Sequence, residues 1–443
     1  MKIGRVLLSV ALLSGMAAGQ YEFGVICSTS SRSATGPSNS HKLAYRGEML
    51  YPDRDTITLV FQSRESIYYC LSGNGPVQPW SRPVALYPGR DPGITWGRDG
   101  DRHLVWVMTD TGTGVANVYY RNLEFRMLPV NVSTSGIHCG HPDVYADSAG
   151  VAHVVWEEGA DHPQIWYRTV NENGVISGRF RVSPDSTAQC RFPAIECFRD
   201  TIYVLWQEFN PAQPAPYRIV QRRQVNGTWL PVQVLMENSE PLDHPSLDFA
   251  SGDWFSAAWE VCSGGNYDAH FAGGNGGGYH TAGMSTAPVV ATVGTVWSYL
   301  FWEEDSAGYQ DIYYHLYYFM AGWTRGTVRR LFGIGEPVFA PSGLAALAVW
   351  TQGDTWPYKV MWGFFGYPVG IEETELKPTA RQCSKLVNDG SLLLIPQPGG
   401  VVLDISGRRI LDLGPGFNNL SRLRRGIYFL KSGVELHRLA IVR

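Results

Sequence analysis

Charge of one sign is scarce in this chain. Its 36 Lys and Arg stand against 40 Asp and Glu, a net charge of −4. So even a balance gives no basic field to attract a nucleic-acid backbone. No block of like charges marks an interaction tail. No CxxC pair is present, which argues against a zinc knot or a thioredoxin-like centre. G-x-S-x-G, H-E-x-x-H and S-x-x-K are also missing, so the common hydrolase and metalloprotease signatures are excluded. The one glycine-rich stretch, Ala272 to His280, lacks the G-K-[ST] ending of a phosphate loop. "GRDGD" at Gly97 to Asp101 lacks the remaining spacing of a Ca²⁺ loop and reads as a turn. Finally, no apolar run reaches the length that spans a bilayer.

Aromatics and turn formers are plentiful. The 443 residues include 15 Trp, 23 Tyr, 49 Gly and 27 Pro. Bulky strand formers between frequent turn residues point to an all-β protein of short strands. The chain opens with Lys2 and Arg5, then an apolar run from Val6 to Leu13, then small residues. That order is the pattern of a secretory signal peptide over residues 1–19, with cleavage expected after Gly19. Export to an oxidising compartment would permit disulfides. The seven cysteines, Cys27, Cys70, Cys139, Cys190, Cys197, Cys262 and Cys383, are an odd number, and spacing alone does not pair them.

A repeat organises the middle of the chain. Apolar strands ending in an aromatic residue recur at Phe61, Trp106, Trp156, Trp206, Trp259, Trp302 and Trp350, at intervals of 45, 50, 50, 53, 43 and 48 residues. Each copy holds a first strand, usually led by Pro, a tight turn, the Trp-terminated strand, an aromatic strand such as "VYYR" from Val118, and a fourth strand. Seven four-stranded units at one period predict a seven-bladed β-propeller over 20–370, because each sheet buries its faces on its neighbours. Two β-sandwiches would not repeat at a fixed period. The last copy has no clear fourth strand after "YKVMWGFFG" at Tyr358. The segment Tyr21 to Cys27 has strand character and is the candidate to supply it.

"D-x-x-G-x-x-H-V-V-W" from Asp147 to Trp156, with the "I-Y-Y" strands, resembles the repeats of secreted sialidase (BNR) and TolB-like propellers. The Asp-box of sialidases is not found at its expected turn, and sialidases have six blades where seven are counted here. A sialidase site would also need three converging arginines and a Tyr–Glu pair, which no motif selects. After a linker over 371–385, residues 386–443 read as a small β-sandwich-like module. Its strands are carried by "SLLLIP" from Ser391, "VVLDISGRRI" from Val401 with a hairpin turn at Gly407, "LRRGIYFLKSG" from Leu423 and "RLAIVR" from Arg438. The last three resemble a type A sorting domain of the type IX secretion system. That resemblance implies an address read by outer-membrane secretion machinery and a secreted or surface-attached protein.

Carboxylates, with one carboxamide among them, recur just after the repeat Trp: Glu157 and Glu158, Gln207 and Glu208, Glu260, Glu303 and Glu304. His141 and His244 each precede the Pro that opens a first strand. In propellers of this resemblance these positions would meet on the face that carries ligand sites. Paired carboxylates suit glycoside hydrolysis, and acids with aromatics suit sugar binding. Carboxylates with carbonyls also hold Ca²⁺, so a structural calcium is the one ion left open; no metal or cofactor set is otherwise recognised. The opposing reading makes each acid a blade contact, with Glu158–Arg168 as the natural pair, because a catalytic residue is needed once and a blade contact in every blade. Two functions follow. One is a non-enzymatic module that binds an extracellular glycan or protein; the other is a sialidase-like glycoside hydrolase. Unlike residues from several blades converging in one pocket would favour the enzyme.

Overall fold

In the computed structural model the described residues run from 22 to 364 and from 392 to 441. Residues 46–55, 74–78, 319–328, 331–337 and shorter loops lie outside them. The signal segment, the linker and the Gly407 turn lie outside them as well. Two compact units are resolved, one spanning Tyr21–Phe365 and the other including Gly366–Arg443.

The larger unit is a ring of seven antiparallel sheets, of which the first six follow chain order from the first strand outward; the fourth also carries a fifth strand, Gln233–Asn238, paired with Tyr217–Val225. Blade one holds strands Leu43–Tyr45, Ile57–Ser63, Ser66–Leu71 and Val84–Pro88. Blades two to six begin at Arg90, Cys139, Gln189, Leu242 and Met284. Blade seven comprises Val338–Leu344, Leu347–Gln352 and Tyr358–Phe364, and its outer strand is Glu22–Thr29 from the opposite end of the sequence. The strand foreseen at Tyr21–Cys27 therefore closes the circle. It supplies the fourth strand of blade seven and covers the edge of Tyr358–Phe364.

The repeat Trp explains why the blades stack. Trp106, Trp156, Trp206, Trp259, Trp302 and Trp350, with Phe61, are all among the fully buried large side chains. Their clusters run between blades: Trp156 packs with Val105, Val118 and Tyr120 of the preceding sheet. Trp206 packs with Val155, Ile165 and Tyr167. Because both faces are covered, the second strand of blade three, Ala152–Glu158, is buried along its whole length. Taking each Trp out of water stabilises by about 5 kcal/mol on area transfer alone.

The Pro-led first strands begin earlier than their sequence suggests. Blade three's runs from Cys139, three residues ahead of Pro142. The ladder slips between Gly140 and Asp143, and likewise across Pro92, Pro193, Pro245 and Pro288. Proline has no N–H to place in the ladder, so the strand bulges there. The residue before it takes a positive φ: Asp91 at 51°, His141 at 46°, Phe192 at 51°, His244 at 50° and Ala287 at 49°.

The smaller unit contains a two-stranded sheet, Leu392–Ile395 with Gly416–Asn419. It also contains a four-stranded sheet in the order Arg409–Leu413, Gly400–Leu403, Gly426–Ser432, Glu435–Ile441. Among the described residues no helix is long and apolar enough to cross a membrane.

Candidate functional site

At four of the five proline bulges the backbone N–H before the proline is accepted by the side chain just after the repeat aromatic of the preceding blade; at His141 that position is Val107, which carries no acceptor. Gln62 Oε1 takes Asp91 N at 3.2 Å, Glu157 Oε2 takes Phe192 N at 3.0 Å, Gln207 Oε1 takes His244 N at 2.9 Å, and Glu260 Oε1 takes Ala287 N at 2.7 Å. These residues are clips between blades. Their recurrence needs no chemistry, since an unsatisfied buried N–H would cost about 1–3 kcal/mol in each blade.

The next residue points to the other side of the strand. Glu158 Oε2 accepts the indole N–H of Trp156 at 3.2 Å, and Glu304 Oε2 accepts that of Trp302 at 3.0 Å. Gln352 stands in the same relation to Trp350, at 3.4 Å. Glu304 also accepts from Ser285 Oγ at 2.6 Å. Glu158 receives Arg179 Nη2 at 2.6 Å, and Glu208 lies 3.7 Å from Arg218. The expected Glu158–Arg168 pair is thus replaced by Glu158–Arg179. The Arg168 guanidinium instead donates to Val132 O at 2.7 Å and Thr134 Oγ1 at 2.8 Å in the preceding blade. Arg179 additionally lies over the Trp166 ring, 4.0 Å from its centroid. Glu158, Glu208 and Glu304 are therefore packing residues.

The bulge residues converge. A cavity of about 500 Å³ is lined by Gln62, Asp91, His141, Phe192, His244, Ala287 and Glu303, with Arg32 and Ser38 from the segment that follows the closing strand. Its lining comes from six blades, so it lies at the axial opening of the ring. Phe192 sits between the two imidazoles, its ring centroid 4.2 Å from that of His141 and 4.7 Å from that of His244. Each imidazole is backed by a clip carboxylate. His141 Nδ1 is 2.9 Å from Glu157 Oε1, and His244 Nδ1 is 3.0 Å from Glu260 Oε1. Burial alone would push the His244 pKa down, but the Glu260 charge and contact, aided by Asp243 and Glu303, outweigh it and hold it above the ordinary value. For Glu157, burial acts upward. His141, the Phe192 amide and Arg191 reverse that and keep the carboxyl below its usual range.

The segment that continues from Ser38 of the lining is polar and anchored. Asn39 Nδ2 donates to Pro193 O at 2.7 Å and to His141 O at 3.1 Å. His41 Nε2 meets Glu196 Oε1 at 3.1 Å. Burial opposes the His41 imidazolium, yet Glu196, with Asp143 and Asp248 nearby, raises its pKa to about 9. Lys42 is fully buried, which lowers its pKa to about 8 against the pull of Asp91 and Asp143. Among the described residues, no three His, Cys, Asp or Glu side chains are grouped as a metal site.

Of the residues singled out from sequence, His141, His244 and Glu303 line the cavity, and Glu157 and Glu260 stand directly behind the imidazoles. The sequence reading passed over Asp91, Phe192 and Arg32. Asp91 and Phe192 occupy the same pre-proline position that singled out His141 and His244, so extending that rule to every blade would have found them. Arg32 lies outside the repeat and has no such signal.

No family model matches the chain, and no curated protein does. Many solved structures match in fold. One is a polysaccharide lyase, an ulvan lyase bound to a GlcA(1-4)Rha3S saccharide. It is 9% identical, with 75% of this chain and 95% of that one covered, at a TM-score of 0.53. A second ulvan lyase structure matches equally, at 9% identity and a TM-score of 0.53. An α-L-arabinanase of Penicillium chrysogenum complexed with arabinobiose matches at 11% identity, over 68% of this chain and 100% of that one, with a TM-score of 0.43. Likeness at this level establishes the propeller and nothing finer.

Proposed function

We propose that the propeller acts on an extracellular polysaccharide at its axial cavity, by general acid–base chemistry centred on His141 and His244. One observation carries this reading. The five bulge positions are equivalent in backbone, yet they present Asp91, His141, Phe192, His244 and Ala287 to one cavity. A scaffold or ring-like binder would place similar residues there; a catalytic site needs unlike ones. The two dyads have the components of an acid–base pair. Each carboxylate engages Nδ1, so Nε2 is the nitrogen left to meet a ligand. Phe192 between them offers a face for sugar stacking. Arg32 is a cation suited to a sugar carboxylate or sulfate, and Glu303 is a carboxylate suited to hydroxyls. The fold likeness to a lyase of acidic polysaccharide supports the same ligand class, as analogy.

The test is depolymerisation of a panel of neutral, uronate-containing and sulfated polysaccharides by the full chain, followed by product size and by ultraviolet absorbance of unsaturated ends. His141→Ala and His244→Ala should each lower turnover by about 100-fold or more while the protein stays folded. Glycan binding with no turnover on any substrate would reduce the site to a recognition module.

We also propose that the protein is exported and that residues 386–443 serve as its type IX address. The support is the N-terminal pattern and the order of the tail strands. Cell fractionation of the full chain beside one ending at Gly370 tests this. Equal appearance of both outside the cell would overturn it.

A further inference from the structure

The bulge at His141 lacks the clip that the others receive, because Val107 stands where the acceptor would be. His141 nonetheless holds a φ of 46°. A residue with a side chain keeps that conformation only when its surroundings fix it. The fixing group comes from outside the repeat. Residues 30–42 join the closing strand Glu22–Thr29 to the first strand of blade one. Within them, Asn39 donates from Nδ2 to His141 O at 3.1 Å and to Pro193 O at 2.7 Å. One amide therefore ties the His141 bulge to the neighbouring bulge that carries Phe192. Two carbonyl acceptors also decide which end of the amide is the donor. The segment around Asn39 is itself pinned to three blades. Ala34 O accepts Gln62 N at 2.9 Å, Thr35 Oγ1 meets Thr351 Oγ1 at 3.2 Å, and His41 O accepts Ile94 N at 2.9 Å.

The residue before Asn39 lines the cavity. Ser38 is 6% exposed, and its hydroxyl meets no protein partner among the described residues. A buried hydroxyl left without a partner costs stability that alanine would not. Other polar groups of the lining are already engaged. Gln62 Oε1 holds the Asp91 amide, the Asp91 carboxylate holds Arg90 Nη1 at 2.5 Å, and the two imidazoles face their clip carboxylates. On a cavity wall, the Ser38 hydroxyl is a donor and an acceptor held ready for a ligand.

We propose that Ser38 and Asn39 complete the axial site from outside the repeat. Asn39 is a positioning residue that takes the place of the missing clip at His141. Ser38 is a binding residue whose hydroxyl pairs with a hydroxyl of the sugar held in the cavity. A sugar hydroxyl both donates and accepts, as Ser38 does, so the two satisfy each other. This inference rests on the acid–base reading of the same cavity.

The experiment assays the full chain on arabinan, polygalacturonate and chondroitin sulfate, which are neutral, uronate-containing and sulfated in turn. Calorimetric affinity and the thermal midpoint are measured beside kcat and KM. Ser38→Ala should raise KM about 10-fold on the polysaccharide that is turned over. Its thermal midpoint should equal or exceed the parent's, because an unpaired hydroxyl is removed. Ser38→Thr keeps the hydroxyl and should restore KM. Asn39→Ala removes both donors and should lower kcat by about 10- to 100-fold with KM little changed. In a His141→Ala background the same change should lower kcat by less than about 2-fold, since Asn39 acts through His141. Turnover with an unchanged KM in Ser38→Ala, or an Asn39→Ala effect of equal size with and without His141, overturns this inference and leaves the acid–base reading standing. Binding without turnover removes that reading and the role of Asn39 with it; Ser38 is then decided by affinity, and an unchanged Ser38→Ala overturns its part. No binding of any of the three polysaccharides overturns both. Should Asn39→Ala fail to fold, the Ser38 variants decide.

Discussion

Glu303 and Glu304 are neighbours in one strand with opposite duties, and substituting each in turn separates them. Glu304 is 2% exposed and accepts two donors, Trp302 Nε1 and Ser285 Oγ. Glu304→Ala leaves both without that acceptor and removes packing volume. One stranded donor costs about 1–3 kcal/mol. Ser285 Oγ also lies 3.3 Å from Thr281 Oγ1, so its loss is partly offset. A total of about 3 kcal/mol follows, with the cavity included. Glu304→Gln keeps one carbonyl acceptor and should cost about 1 kcal/mol. Glu303 faces the axial cavity, and Glu303→Gln preserves its size and its capacity for hydrogen bonds. That change should cost less than about 1 kcal/mol of stability yet lower polysaccharide turnover or binding by about 10-fold or more. The assay is urea unfolding followed by Trp fluorescence, run beside the depolymerisation assay. If Glu304→Ala lies within about 1 kcal/mol of the parent, the indole-capping account is wrong. If Glu303→Gln destabilises as much as Glu304→Ala, the assignment of the two residues to opposite faces is wrong.

Three further outcomes follow from the same geometry. Phe192 holds a positive φ of 51°, so Phe192→Gly relieves backbone strain while removing the ring between the imidazoles; unfolding should shift by under about 1 kcal/mol, and glycan affinity measured by calorimetry should fall about 10-fold. Because the folded pKa of His244 is raised, its pairing with Glu260 stabilises fully below the ordinary histidine value of 6.5 and is lost as pH rises through the folded value. Urea titrations of Glu260→Gln should therefore show a deficit of about 1 kcal/mol at pH 6 that shrinks toward pH 9, the figure being held low because the imidazole is part-exposed. A chain that begins at Ser31 loses the outer strand of blade seven and bares the Tyr358–Phe364 edge; size-exclusion chromatography should show it aggregated where the full chain is not.

The all-β class, the count of seven blades and the closing strand were legible because each rests on local sequence. A strand announces itself by alternation and turn residues, and a repeat by its period, whatever the chain does in three dimensions. The Trp-terminated strands had to be buried, since six indoles at one phase of one repeat need a common environment. The meaning of the acids was not legible. Glu157 and Glu158 are adjacent letters, but strand geometry sends one to clip the next blade's bulge and the other to cap its own Trp. Arg168 looked like the partner of Glu158, and the chain instead brings Arg179 over from the fourth strand. The proline bulge was written in each X-Pro pair, yet that five of those pairs surround one cavity follows only when the ring closes. Arg32 depends on closure too, because the first strand of the sequence completes the last blade and the segment after it lines the axial cavity. Periodicity is a property of neighbours along the chain; convergence at the axis is a property of the circle.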